Sequence, residues 1–144
     1  MPGRNESTAQ RVYVALGSNL GDRDRNLAFA RECLAELPGT EFKAASSIEE
    51  TAPLGGRPQP SYLNQMVALD TTLSPRALLT LLQDIERRAG RTRREPWESR
   101  TLDLDIVRFG ALEVDEPGLQ LPHPGLGKRD FWERELGELS EQGF

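Results

Sequence analysis

The run Leu102-Asp103-Leu104-Asp105-Ile106-Val107 alternates apolar and acidic side chains. Successive side chains of a strand point to opposite faces. The run therefore predicts a strand with Leu102, Leu104 and Ile106 on one face and Asp103 and Asp105 on the other. Aspartate is disfavoured in strands, so two in one short strand need a reason. Arg91, Arg93, Arg94 and Arg100 stand just upstream, with Trp97 among them. Carboxylates hold a hard cation through oxygen. Arginines take phosphate oxygens in forked hydrogen bonds. Together these types suit a metal-bound polyphosphate. Taken alone, the same residues also describe the wet side of a strand beside a solvated loop. The net charge of −5 makes the basic cluster a local feature and not a by-product of composition.

A chain of 144 residues with 37% hydrophobic residues fits one domain with its own core, expected over residues 11–144. Residues 1–10 are polar, carry no apolar signal segment and are expected to be a disordered leader. No apolar run is long enough to span a bilayer. The single cysteine, Cys33, excludes an internal disulfide and a cysteine-based zinc cluster. It falls among Leu27, Ala30, Leu34 and Leu37, which makes core packing its expected role. A cytoplasmic location follows as the default. The acidic balance argues against nucleic-acid and membrane-surface binding.

Arg11 to Leu16 predicts the first strand. Gly17 to Asp22 reads as a tight structural turn: it lacks the spacing and the Lys-Ser/Thr end of a phosphate-binding P-loop. Asp22 is placed to cap a helix with its stripe over Asn26 to Leu37, which Pro38-Gly39 ends. A second strand is expected over Thr40 to Glu49, a flexible loop or lid over Thr51 to Pro60, and a third strand over Tyr62 to Thr72. Ser74-Pro75 opens a second helix with Leu78, Leu81, Leu82, Ile85 and Ala89 buried, and Gly90 ends it. The acidic strand follows, then a short hairpin around Glu116-Pro117-Gly118. Pro122-His123-Pro124 leads to a last, polar helical stretch over Arg129 to Glu141. The order βαββαβ predicts an α+β, ferredoxin-like sandwich. It would be an antiparallel sheet with helices on one face and a C-terminal appendage.

In this order the segments Ala15-Leu16-Gly17-Ser18-Asn19-Leu20-Gly21, Thr51-Ala52-Pro53-Leu54-Gly55 and Tyr62-Leu63-Asn64 resemble 6-hydroxymethyl-7,8-dihydropterin pyrophosphokinases. So do Ile85-Glu86 before Gly90-Arg91, Arg100-Thr101-Leu102-Asp103-Leu104-Asp105 and Pro122-His123-Pro124. The last-but-one string is the most specific. The resemblance covers about residues 11–131. It implies transfer of diphosphate from ATP to the hydroxymethyl group of the pterin, with release of AMP, in folate biosynthesis. It implies Asp103 and Asp105 as ligands of two Mg²⁺ ions. Gln83, Glu86, Arg91, Arg93, Arg100, His123 and Arg129 are implied for ATP. Thr51, Pro53, Leu54, Tyr62, Asn64, Trp97, Asp103 and Phe131 are implied for the pterin, with Tyr62 and Phe131 as the faces of a sandwich. Arg91, Arg100 and Asp105 would be catalytic, Asp105 by taking the hydroxyl proton. A monomer is expected. After Phe131 the chain departs from the family pattern, reading Trp132-Glu133-Arg134-Glu135-Leu136-Gly137-Glu138-Leu139.

Apart from the resemblance, Tyr62 and Phe131 read as core aromatics, His123 as a turn residue and Asn64 as a solvated strand residue. A nucleic-acid module on the same fold would want a basic, aromatic sheet face, where this chain puts aspartates. A relative that binds nucleotide without chemistry differs from an enzyme in one observable, pterin-dependent release of AMP.

Overall fold

The computed structural model describes residues 8–53, 55, 58–90 and 101–144. Its elements are β1 (Gln10–Ser18), α1 (Arg23–Ala35), β2 (Thr40–Ala45), β3 (Glu49–Thr51), β4 (Tyr62–Thr71) and α2 (Pro75–Arg88). Then follow β5 (Asp103–Phe109), β6 (Val114–Glu116), β7 (Leu119–Leu121) and α3 (Asp130–Glu141). The main sheet has the order β2-β4-β1-β5, with β3 also on β4, and every pairing is antiparallel. This is the ferredoxin-like α+β arrangement. The β6–β7 hairpin stands apart as its own small sheet.

Local chemistry starts both helices of the main core. The Asp22 carboxylate accepts from Arg25 N at 3.1 Å, so α1 begins three residues before its apolar stripe. The Ser74 hydroxyl accepts from Ala77 N at 3.2 Å, and Pro75 fills the first turn of α2. Leu27, Ala30, Cys33 and Leu34 of α1 and Leu78, Leu82 and Ile85 of α2 pack on one sheet face. That face is built from Val12, Val14, Leu16, Val67, Leu69, Leu104 and Ile106. Cys33 is a core residue, as its pattern implies. Glu86 is also buried, and its Oε2 accepts from Leu104 N at 2.8 Å on the outermost strand.

The other face is where the sequence-based outline needs correction. The last helical stretch is no polar appendage. It buries Phe131, Trp132, Glu135 and Leu139, and it covers Ala15, Met66, Ala68 and Val107 in a second core. Counting charges along it hides the stripe, because the buried positions are spaced three and four apart among solvated ones.

Two other differences have local causes. The expected single strand over Thr40 to Glu49 is broken at Ser46. That residue is buried, its hydroxyl accepts from Met66 N at 2.9 Å, and its carbonyl accepts from Gln65 Nε2 at 2.7 Å. A side chain there takes a ladder partner and the chain kinks before β3. In β5 the alternation fails after Ile106. Val14 pairs with Ile106 but Tyr13 with Arg108, so Val107 is an inserted residue. Val107 stays on the Asp105 face, in the second core, and the bulge turns Phe109 to the first. The ends of elements also move. β1 runs on through Gly17 and Ser18, which pair with Asn64 and Leu63.

Among the described residues no helix is long and apolar enough to cross a membrane. If α3 is core and not appendage, Leu139→Ala, at a fully buried position, should cost about 2–5 kcal/mol in urea unfolding. A loss within about 0.5 kcal/mol, as for a surface site, would return α3 to the role of an appendage.

Candidate active site

Register decides which side chains stand together. Glu49, Asn64, Gly17 and Asp103 are successive cross-strand partners over β3, β4, β1 and β5. Side chains directly opposite share a face, so these four form one row. The next row on the same face is Met66, Ala15 and Asp105. Met66 and Ala15 lie under α3. The polar row lies beyond it, at the end of the face that α3 leaves uncovered. Gly17 keeps that end low. A Cβ there would stand 3.4 Å from Asn64 Oδ1 and 3.5 Å from the Tyr62 ring.

The start of α3 and the segment before it bring Arg129 and His123 to the same end. His123 Nε2 lies 3.8 Å from Asp105 Oδ1, and Arg129 Nη1 lies 3.8 Å from Asp105 Oδ2. These separations are too long for hydrogen bonds. The three groups surround an opening and do not close it, and the Asp105 side chain stays 40% exposed. Trp132 packs against both groups. Its ring meets the imidazole edge-on at 4.9 Å, and the Arg129 guanidinium lies over it at 4.5 Å. Gly125 is required beside them, since a Cβ there would come within 2.9 Å of Arg129 Nε and 3.1 Å of the Trp132 ring. His123 Nδ1 accepts from Gly125 N at 2.8 Å. A neutral His123 therefore carries its proton on Nε2, the nitrogen facing Asp105. Burial lowers the His123 pKa below its usual 6.5; Asp105 pulls it up against that, and Arg129 pushes it further down.

A groove of about 610 Å³ opens from this point. Asp105 and His123, Leu79 of α2, Ile106 of β5, and Gly118 and Leu119 of the hairpin line it. Sequence reasoning did not assign the hairpin to the site. Its composition carries no signal, and only the fold brings it beside β5. Asn26 also went unassigned. Its Nδ2 donates to Ser18 Oγ, Leu20 O and Thr101 O at 3.0–3.1 Å. Asn19 Nδ2 donates to Pro60 O at 3.2 Å. The turn after β1 and the first residues of α1 thus tie down the segments that enter β4 and β5.

The structure brings Asn64, Asp103, Asp105, His123 and Arg129 to one end of the sheet. Thr51 joins them, accepting from Asn64 Nδ2. Asn64 is buried, not solvated. Tyr62 is half-buried beside Gly17, and Phe131 is buried in the second core. Pro53 is half-buried in the loop after β3. Gln83 is exposed on α2, one turn beyond Leu79 and so on the groove side. Leu54, Arg91, Arg93, Arg94, Trp97 and Arg100 lie outside the described residues.

The model of the family described as 7,8-dihydro-6-hydroxymethylpterin-pyrophosphokinase matches residues 13–141. The chain belongs to this family. It is 44% identical over 131 residues to the 2-amino-4-hydroxy-6-hydroxymethyldihydropteridine pyrophosphokinase of Pseudomonas aeruginosa, covering 91% of this chain and 81% of that one. The Bacillus subtilis enzyme of the same name is 41% identical over 131 residues, with 91% and 78% covered. The one from Haemophilus influenzae is 40% identical over 120 residues, with 83% and 75% covered.

His123 is the chain's only histidine, so its imidazole resonances need no assignment. A titration by NMR should give a midpoint below 6.5, with a neutral ring at pH 7. A lowered histidine pKa adds stability that is present above the unfolded value and lost as pH falls through the folded one. Removing the Asp105 charge with Asp105→Asn should lower the midpoint further. A midpoint above 6.5, or one that rises in that variant, would contradict the geometry.

Proposed function

We propose that the uncovered end of the sheet is where this chain performs its reaction. The chain is a hydroxymethyldihydropterin pyrophosphokinase of folate biosynthesis. It transfers diphosphate from ATP to the hydroxymethyl group of 6-hydroxymethyl-7,8-dihydropterin and releases AMP. The observation that carries the assignment is the meeting of Asp103, Asp105, His123 and Arg129 at one opening, with a groove leading away from it.

Diphosphate transfer is chiefly positioning and charge neutralisation on oxygens. The Arg129 guanidinium and the Nε2–H of His123 are donors toward phosphate, and Trp132 fixes both. The groove beside Leu79, Ile106 and Leu119 has room for the nucleoside, with Gln83 and Glu86 on the adjacent helix. Arg91, Arg93 and Arg100 complete the phosphate contacts in this reading.

The donor set fits Mg²⁺ brought with a nucleotide. That ion takes one or two carboxylates together with substrate phosphates, not a cage made of protein. Among the described residues no group of three or more His, Cys, Asp or Glu could hold an ion unaided. Asp103 and Asp105 would hold two Mg²⁺ ions, which when bound supply neutralisation of triphosphate charge. Asp105 is also the carboxylate nearest the cations, and the candidate to take the hydroxyl proton.

The pterin belongs at the low end over Gly17. Tyr62 and Phe131 supply ring faces. Asn64, Thr51, Pro53, Leu54 and Asp103 serve the ring's edge, and Trp97 closes over it. The reading includes a cytoplasmic monomer that acts without nucleic acid or membrane.

Purified chain with ATP, Mg²⁺ and the pterin should release AMP, and should release none without the pterin. Asp103→Ala and Asp105→Ala should each remove most of this activity while the circular dichroism spectrum is retained. Full turnover in both variants would remove the metal assignment. AMP release independent of the pterin would remove the substrate assignment.

A further inference from the structure

We propose that Glu49 and Glu135 share one proton, and that this proton clasps α3, with Phe131, over the pterin end of the sheet. The positioning role rests on the reading of Phe131 as a wall of the pterin site. Neither glutamate is assigned to substrate or metal; Glu49 ends the row of Asn64, Gly17 and Asp103, on the strand that Arg134 of α3 reaches.

The geometry requires the proton. Glu135 is 2% exposed and points into the interface between α3 and the sheet. No N–H or O–H of a described residue reaches either of its carboxyl oxygens. Glu49, held through Oε1 by Arg134 of the same helix, likewise leaves its other carboxyl oxygen buried and without a donor among the described residues. Carboxylates only accept, so a bond between two of them needs a proton on one. Two like charges in a dry contact cannot both ionise at neutral pH. Burial first, and Glu49 next, push the Glu135 carboxyl up to about 9.

The surroundings leave one negative charge on the pair. Arg134 Nε faces it, donating to Glu49 Oε1 at 3.0 Å, while its Nη1 pairs with Asp130 Oδ2 at 3.3 Å. Glu138, the next carboxylate on α3, is turned away to Ser47, whose N and Oγ donate to it at 2.8 Å. From β4 the interface receives Met66 and Ala68, and at its far end Asp70, which Arg11 of β1 holds while also donating to the Phe144 carbonyl. From β1 it receives Ala15 and the partly buried Tyr13, whose hydroxyl donates to the Phe144 carbonyl.

The pair joins the two parts of the pterin end. Glu135 is four residues beyond Phe131, on the same face of α3. Glu49 is the cross-strand partner of Asn64. Losing the proton sets two carboxylates against each other between Phe131 and Asn64, so α3 lifts and the ring wall retreats. A carboxyl raised from its ordinary value holds its contribution in full at low pH and loses it as pH rises through about 9.

Pterin affinity of the full chain, with a non-hydrolysable ATP analogue present, should therefore weaken above the pair's titration. One linked proton gives up to about tenfold per pH unit. Glu135→Gln keeps a donor toward Glu49 but cannot titrate, so its affinity should lack this limb; Glu49→Gln serves if that variant fails to fold. Infrared spectra of the wild type at neutral pH should carry a carboxylic-acid carbonyl band, absent from Glu135→Gln and fading over the same limb. Identical pH profiles in wild type and variant would overturn the positioning role. Absence of the band would overturn the shared proton. A chain that binds no pterin even at neutral pH would overturn the site reading, and the positioning role with it, while the band still reports on the proton.

Discussion

The structure depends on an incomplete covering. A five-stranded sheet has two faces to keep from water. α1 and α2 bury one of them along its length. α3 buries only part of the other, setting Phe131, Trp132 and Leu139 against Ala15, Met66, Ala68 and Val107. The uncovered remainder must carry polar side chains, and register decides which: Asn64, Gly17 and Asp103 in one row, Asp105 in the next. The site is the part of the sheet that the core does not use.

Trp132 connects that covering to the chemistry. It is almost fully buried, yet its ring edges meet the imidazole of His123 and its face meets the guanidinium of Arg129. The burial that stabilises α3 thereby fixes two phosphate donors beside Asp105. Gly125 and the Gly125 N–H complete the arrangement, one by leaving room and the other by setting the imidazole tautomer.

Much of this was legible in the sequence because it depends on local pattern. Alternation in Leu102 to Ile106 gave the two faces of β5, and Ser74-Pro75 and Asp22 gave the helix starts. What escaped depends on contacts distant in sequence. The bulge at Val107 comes from pairing with β1, not from any residue signal in β5. The break at Ser46 needs Met66 opposite it. The burial of α3 was hidden by its charges, one of which, Glu135, sits inside the interface. The hairpin wall of the groove has no distinctive composition. The resemblance to a family named the site residues; the fold gave the reason that Asn64, Asp103, Asp105, His123 and Arg129 stand together. The arginines between Gly90 and Thr101 lie outside the described residues.

The central claim is that nucleotide phosphates and their metal ions bind at the end of the sheet that α3 leaves open. Crystals of the chain with Mn²⁺, a non-hydrolysable ATP analogue and the pterin test it most directly, through anomalous scattering. The account predicts a pair of peaks at Asp103 and Asp105, with phosphates beside His123 and Arg129 and the nucleoside in the groove along Leu79 and Leu119. Peaks away from the two aspartates, or a nucleotide bound on the face covered by α1 and α2, would contradict it.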